Sequence, residues 1–186
     1  RNTLQLGNGY VNGEPVRSCE VAFLYGISGT YWSWAPLMVD FDNDGDKDIY
    51  ITNGYIKDVI DQDYIAFLSQ KSNVFVTEKQ KMNTMINDLP EIKEPNFFYE
   101  QGDNDAFEDV SALWNKAVPS LSNGVAYADF DLDGDIDLVV SNINAKPFLL
   151  ENRTSDKLDH HYLRLKLKGL KKNPHAIGAK ITLWSN

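Results

Sequence analysis

The sequence predicts a mainly β fold of antiparallel strands with a short helical insertion, on three observations. First, Asp40-Phe41-Asp42-Asn43-Asp44-Gly45-Asp46-Lys47-Asp48 recurs as Asp129-Phe130-Asp131-Leu132-Asp133-Gly134-Asp135-Ile136-Asp137. Second, each copy lies between short aliphatic and aromatic runs of strand character. Pro36-Leu37-Met38-Val39 and Ile49-Tyr50-Ile51-Thr52 flank the first, and Val125-Ala126-Tyr127-Ala128 and Leu138-Val139-Val140-Ser141 flank the second. Third, between the copies the apolar residues change to helical spacing.

The acidic loops carry the chemistry. Five aspartates within nine residues repel one another in a folded turn, so the segment needs either full solvation or a bound cation. Carboxylates at loop positions 1, 3 and 5, a glycine at position 6 where the chain turns sharply, a position-7 carbonyl and a further carboxylate at position 9 suit Ca²⁺, whereas Mg²⁺ prefers to keep its waters. The expected ligands of one Ca²⁺ are Asp40, Asp42, Asp44, Asp48 and the carbonyl of Asp46. Those of a second are Asp129, Asp131, Asp133, Asp137 and the carbonyl of Asp135. An EF-hand is excluded, because it needs a bidentate Glu at position 12 and flanking helices. Position 12 is Ile51 or Val140, and the flanks read as strands. A dockerin-like pair of loops fails for the same reason.

The pattern D-F-D-x-D-G-D-x-D, followed by an aliphatic strand and Asn53 or Asn142, resembles the FG-GAP or VCBS repeat. Matching opening segments extend the likeness: Asn2-Thr3-Leu4-Gln5-Leu6 with Gly7 and Gly9, Asn96-Phe97-Phe98-Tyr99-Glu100 with Gly102, and Phe148-Leu149-Leu150-Glu151-Asn152. The resemblance implies calcium-bearing antiparallel β-propeller blades like those of the integrin α-subunit head. It also implies an extracellular, cell-surface or outer-membrane-associated protein, a protein or glycan ligand, and the remainder of the propeller as a partner. His161 to Gly169, continuing through Asn173-Pro174 to Ile177-Gly178-Ala179-Lys180, is similar to the start of the ASPIC/UnbV domain.

In chain order, residues 1–55 read as the first repeat. They hold strands at Thr3 to Leu6 and at Glu20 to Leu24, and Tyr31-Trp32-Ser33-Trp34 leads into the strand before the first loop. Trp32 and Trp34 share the parity of one strand face, which favours core packing over a sugar-stacking platform; the same holds for Phe97, Phe98 and Trp114. Aligning the loops sets Ala35 against Gly124 and Leu37 against Ala126, and such small residues suit crowded strands. The loops start 89 residues apart, more than one blade of about 40 to 50 residues, so residues 56–92 read as an insertion. Two helices are expected there, one over Asp61 to Gln70 with Tyr64, Ile65, Phe67 and Leu68. The other follows a Thr77/Gln80 capping box, carries Met82, Met85, Ile86 and Leu89 on one stripe docked on its own sheet, and stops at Pro90. Residues 93–152 form the second repeat, with strands at Asn96 to Glu100 and Phe107 to Val110, a solvated turn from Gly102, and the second hairpin. Residues 153–186 read as a polar linker and a β segment, because Tyr162 to Lys168 alternates apolar and basic residues.

The chain has 186 residues and a net charge of −9, and ten of its 27 acidic residues lie in the loops. That balance argues against nucleic acid or an anionic membrane as partner, and no apolar run reaches the length of a membrane span. The opening at Arg1 without Met reads as a piece of a larger protein. The single Cys19 forbids an internal disulfide and is expected to be buried. His160, His161 and His175 lack a nucleophile at a recognisable spacing, and G-x-S-x-G and H-E-x-x-H are absent. The expectation is therefore not an enzyme but a calcium-stapled binding scaffold. The alternative is the accessory, non-catalytic part of a polysaccharide-active enzyme. One expectation concerns the second loop alone: Leu132 and Ile136 replace Asn43 and Lys47 of the first, so an adjoining blade, the region from Tyr162 onward or a partner should cover them.

Overall fold

The computed structural model describes residues 2–7, 9–11, 14–15, 17–57, 62–63, 66–67, 78–90, 92–102, 106–157 and 162–184. Strands dominate, and every pairing among them is antiparallel. The N-terminal part contains β1 (Gln5–Gly7), β2 (Tyr10–Val11), β3 (Glu14–Pro15) and β4 (Ser18–Glu20), paired as the ribbons β1-β4 and β2-β3.

The first loop joins β5 (Ser33–Val39) to β6 (Asp48–Asn53). The helix α1 (Glu78–Asp88) and the short β7 (Glu94–Pro95) precede β8 (Phe97–Gln101) and β9 (Phe107–Asp109), which complete an open four-stranded sheet in the order β5-β6-β8-β9. Pro36 is tolerated because β5 is an edge strand, where no ladder donor is required of it. β6 is central and buried along its whole length. Its alternation sends Tyr50 to one face, and Ile49 and Ile51 to the other. On the second face Ala22, Ile27, Tyr99 and Phe107 complete a core.

A one-turn helix α2 (Ser111–Trp114) and β10 (Pro119–Ser120), which pairs with β7, lead to the second unit. There β11 (Ser122–Ala128), the second loop, β12 (Asp137–Asn142) and β13 (Phe148–Leu150) form an open three-stranded sheet. One of its faces supplies Leu138 and Val140, with Phe148 and Leu150 beside them. These pack on Val39, Phe41, Tyr50 and Phe98 of the first sheet, making the main core of the molecule.

Close approach of the two units depends on Gly54. A Cβ there would lie 2.5 Å from the Ser122 nitrogen and 2.6 Å from the Leu121 backbone. A buried polar chain crosses the same place. The Asn53 N–H donates to Asn96 Oδ1 (2.8 Å), Asn96 Nδ2 donates to Ser122 Oγ (2.9 Å), and Ser122 Oγ donates to Asn142 Oδ1 (2.6 Å). The asparagine that ends each loop-bearing hairpin is thereby tied to its counterpart in the other unit.

Several expectations are corrected. Glu20 to Leu24 is not a strand: after β4 the Glu20 carboxylate accepts the Ala22 N–H (2.9 Å), and the Tyr25 N–H donates to the Val21 carbonyl (2.9 Å), which folds a turn. Cys19 is exposed rather than buried, because the β1-β4 ribbon faces solvent. Trp34 is not core; it is half exposed, its indole donating to the Gly54 carbonyl, while Trp32 stacks on Tyr55 at 4.3 Å. Residues 162–184 form no strand, and Leu163, Leu165 and Leu167 are exposed: alternation marks which face is apolar, but a strand also needs a partner edge for its backbone.

Of the first expected helix, residues 62–63 and 66–67 are helical, and Tyr64, Ile65 and Leu68 lie outside the described residues. The second is α1. Lys57 Nζ holds its C-terminal end, donating to the Asn87 and Leu89 carbonyls at 3.0 and 2.9 Å. Leu89 is buried and Ile86 exposed, so the apolar stripe is only partly docked. Thr77 and the side chains of Met82 and Met85 lie outside the described residues.

Candidate metal centre

The two loops have the same backbone. The residue at position 4 is left-handed in both, Asn43 at φ 60° and Leu132 at φ 69°, and the glycine at position 6 has φ 103° in Gly45 and 100° in Gly134. Asparagine tolerates that region and leucine does so at a cost. The internal hydrogen bonds repeat as well. The N–H of Asp44 donates to Asp42 Oδ1 and that of Asp133 to Asp131 Oδ1, both at 3.3 Å. The N–H of Asp46 donates to Asp44 Oδ1 (2.8 Å), and that of Asp135 to Asp133 Oδ1 (2.9 Å).

At position 9 a buried carboxylate closes each loop. Asp48 Oδ2 accepts the Phe41 N–H (2.9 Å) and Oδ1 the Gln101 N–H (3.2 Å). Asp137 Oδ2 accepts the Phe130 N–H (2.9 Å) and Oδ1 the Asn152 N–H (2.8 Å). Two donors leave each carboxylate lone pairs to spare for a further interaction.

In the first loop Asp40, Asp42 and Asp48 bring one carboxylate oxygen each to within 4.8 Å of the others, and in the second Asp129, Asp131 and Asp137 do the same. Asp44 and Asp133 stand outside these groups and hold the following N–H instead. Asp46 is exposed, and the Asp135 side chain is fully buried and turned away from its own loop.

Among the described residues four buried side-chain atoms have no hydrogen-bond partner: Tyr50 Oη, Asn115 Nδ2 and, in the loops, Asp40 Oδ1 and Asp129 Oδ1. Burial without a partner is costly for a carboxylate oxygen, and in each loop the orphan belongs to the convergent cluster. Hard oxygen donors in this arrangement fit a metal ion: each cluster can hold one. Burial, reinforced by the charges of Asp42 and Asp44 and opposed by the Phe41 and Gln101 N–H groups, pushes the Asp48 carboxyl up to about 7. Burial and the charge of Asp44 also raise Asp42. A cation among the carboxylates would favour the anionic forms of Asp42 and Asp48 that burial disfavours.

The second loop has a further neighbour. Arg164 donates to Asp129 Oδ2, and the Tyr162 ring lies where a Cβ on Gly134 would be. Even so, Leu132 is 68% exposed, so its expected covering is not found, whereas Ile136 packs against the main core. Between the first loop and the chain after β13 lies a cleft of about 390 Å³, with Phe41, Phe98, Trp114 and Leu138 in its lining and Asp42, Glu100, Arg153 and Lys157 among its polar groups.

Sequence reasoning missed the residues that brace the loops from outside: Asn43, Gln101, Asn152, Thr154 and Ser155. A signal existed for two of them. Gln101 and Asn152 directly follow or end the opening segments that come after each loop, and each gives an N–H to the position-9 aspartate of the loop before it. Comparison with protein-family models and with curated proteins gives no match.

Proposed function

We propose that the chain is a non-enzymatic calcium-binding module built of FG-GAP/VCBS-type β-propeller blades, serving as a scaffold for a protein or glycan ligand in a secreted or cell-surface protein. The observation that carries this reading is the duplicated loop: two copies with one backbone, three converging carboxylates each, and an orphaned buried oxygen in each cluster. Ca²⁺ is favoured over Mg²⁺ because the donors are carboxylates and carbonyls of a flexible loop with no pre-set octahedron. Each loop draws its ligands from its own nine residues. An ion so wrapped stiffens a turn and leaves no open position for a substrate.

Blade stacking is supported by a repeated face. Tyr50, Phe98 and Phe41 of the first unit are covered by the second unit. The same positions in the second unit are Val139, Leu149 and Phe130, of which Leu149 and Phe130 are exposed. A further blade covering them would continue the interface already present between the two units.

Calorimetric titration with Ca²⁺ tests the reading. Two ions per chain, with weaker binding of Mg²⁺, are expected; absence of Ca²⁺ binding would refute it. Glycan-array and pull-down binding with the calcium-loaded chain, repeated after chelation, then separates the glycan from the protein ligand.

A further inference from the structure

The two loops touch. Asn43, at position 4 of the first, donates through Nδ2 to Oδ1 of Asp135, at position 7 of the second (2.8 Å). The other Asp135 oxygen accepts the Ser155 N–H (2.7 Å), so this fully buried carboxylate is satisfied from outside its own loop on both oxygens. A second path runs through Asn152. Its N–H donates to Asp137 Oδ1 (2.8 Å), and its Nδ2 donates to the Phe41 carbonyl (2.6 Å), which lies between Asp40 and Asp42. Thr154 Oγ1 donates to the same carbonyl (3.2 Å).

We propose that the two metal sites are coupled, each binding its ion more tightly when the other is loaded, and that Asn43 and Asn152 are the positioning residues that carry the coupling. The proposal rests on the reading of the loops as metal sites and adds their mutual regulation. In the second loop Asp131 and Asp137 would hold an ion, with the carbonyl of Asp135 as a further donor. That fixes the Asp135 carboxylate, and with it the side chain of Asn43 in the left-handed turn of the first loop. It also fixes the Asp137 oxygen on which Asn152 rests, and through Asn152 the Phe41 carbonyl. The first loop then has less freedom to lose on binding, which is positive cooperativity from ordering completed in advance. By linkage the effect is reciprocal and of equal size in both directions. Neither asparagine belongs to a carboxylate cluster, so the coupling can be cut without removing a cluster ligand.

The experiment is calorimetric titration of the whole chain with Ca²⁺, alongside two site knockouts, Asp40→Asn with Asp42→Asn and Asp129→Asn with Asp131→Asn. Each knockout is expected to weaken the surviving site by the same factor, on the order of tenfold, within the usual span of about 5- to 150-fold for coupled sites. Asn43→Leu combined with Asn152→Ala is expected to titrate as two independent sites whose affinities no longer respond to the knockouts. Leucine already occupies the equivalent left-handed position as Leu132; Asn43→Gly, which carries no donor and adopts that backbone freely, serves in its place if that variant does not fold. Two ions bound independently by the unmodified chain overturn the coupling and leave the metal reading standing. Cooperativity that survives in the asparagine variant overturns the assigned path. Absence of Ca²⁺ binding overturns both readings.

Discussion

In loop 40–48 and loop 129–137 the chain turns at the same residues and repeats the N–H bonds to the aspartates at positions 3, 5 and 9, but the position-2 phenylalanine is 4% exposed in the first copy, Phe41, and 52% in the second, Phe130. Position 7 is reversed: Asp46 is exposed and Asp135 fully buried. Phe41 lies edge-on to Phe98 (5.5 Å) and Trp114 (6.5 Å), with the second sheet closing over them. Asp135 is buried because the first loop and the chain after β13 meet there and bring a donor to each oxygen. Local spacing thus governs how a loop turns and which carboxylates converge. Which of its other side chains are buried depends on the unit that happens to lie beside it.

The largest test of this contrast is a pair of substitutions. Phe41→Ala should cost about 3–5 kcal/mol as a buried aromatic deletion, whereas Phe130→Ala should stay within about 1 kcal/mol as a surface change. Equal losses in denaturant titrations would break the comparison. Next comes removal of metal. An ion that binds only the folded chain adds about 2.7 kcal/mol at a hundredfold excess over Kd, so EDTA should lower Tm, and a knockout of either cluster should lower it less than EDTA does. An unchanged Tm with the ions gone would make the loops regulatory instead of structural.

The asparagines after the loops sharpen the same contrast. Asn53 is buried, donating to the Pro95 carbonyl (3.1 Å) and accepting from Ser33 Oγ (3.4 Å). Asn53→Ala should therefore cost about 1–3 kcal/mol, the penalty for stranding buried groups. Half-buried Asn142 should cost about 0.5–1.5 kcal/mol, the net value of an ordinary hydrogen bond. Urea melts with unchanged m-values would read both; the reverse order would contradict the burial difference. The smallest effects belong to the two apolar loop residues. Ile136→Lys should cost about 1 kcal/mol for lost partial burial, and exposed Leu132→Asn should be neutral or stabilise by up to about 1 kcal/mol, because asparagine tolerates the left-handed backbone there. A large loss from Leu132→Asn in thermal melts would mean that a partner or further blade covers it.

By itself the sequence determined the mainly β class and the two hairpins with their loops. It held the aspartates at positions 1, 3 and 9 that converge, although it did not separate them from Asp44 and Asp133, which stand outside the clusters. Period-two alternation and the left-handed glycine turn are local properties, set by neighbours a few residues apart. It also pointed to α1, through helical spacing that ends at Pro90. The alternation in residues 162–168 misled, because a strand is completed by another strand, and no local pattern states whether one is present. The tertiary structure alone decided that β6 is covered on both faces, that Asp135 leaves its own loop to meet Asn43, and that Asn152 rests on both loops. These contacts join residues up to 111 positions apart. Their partners are chosen by how two sheets pack, and packing depends on the shapes of both faces together, which neither stretch of sequence contains alone.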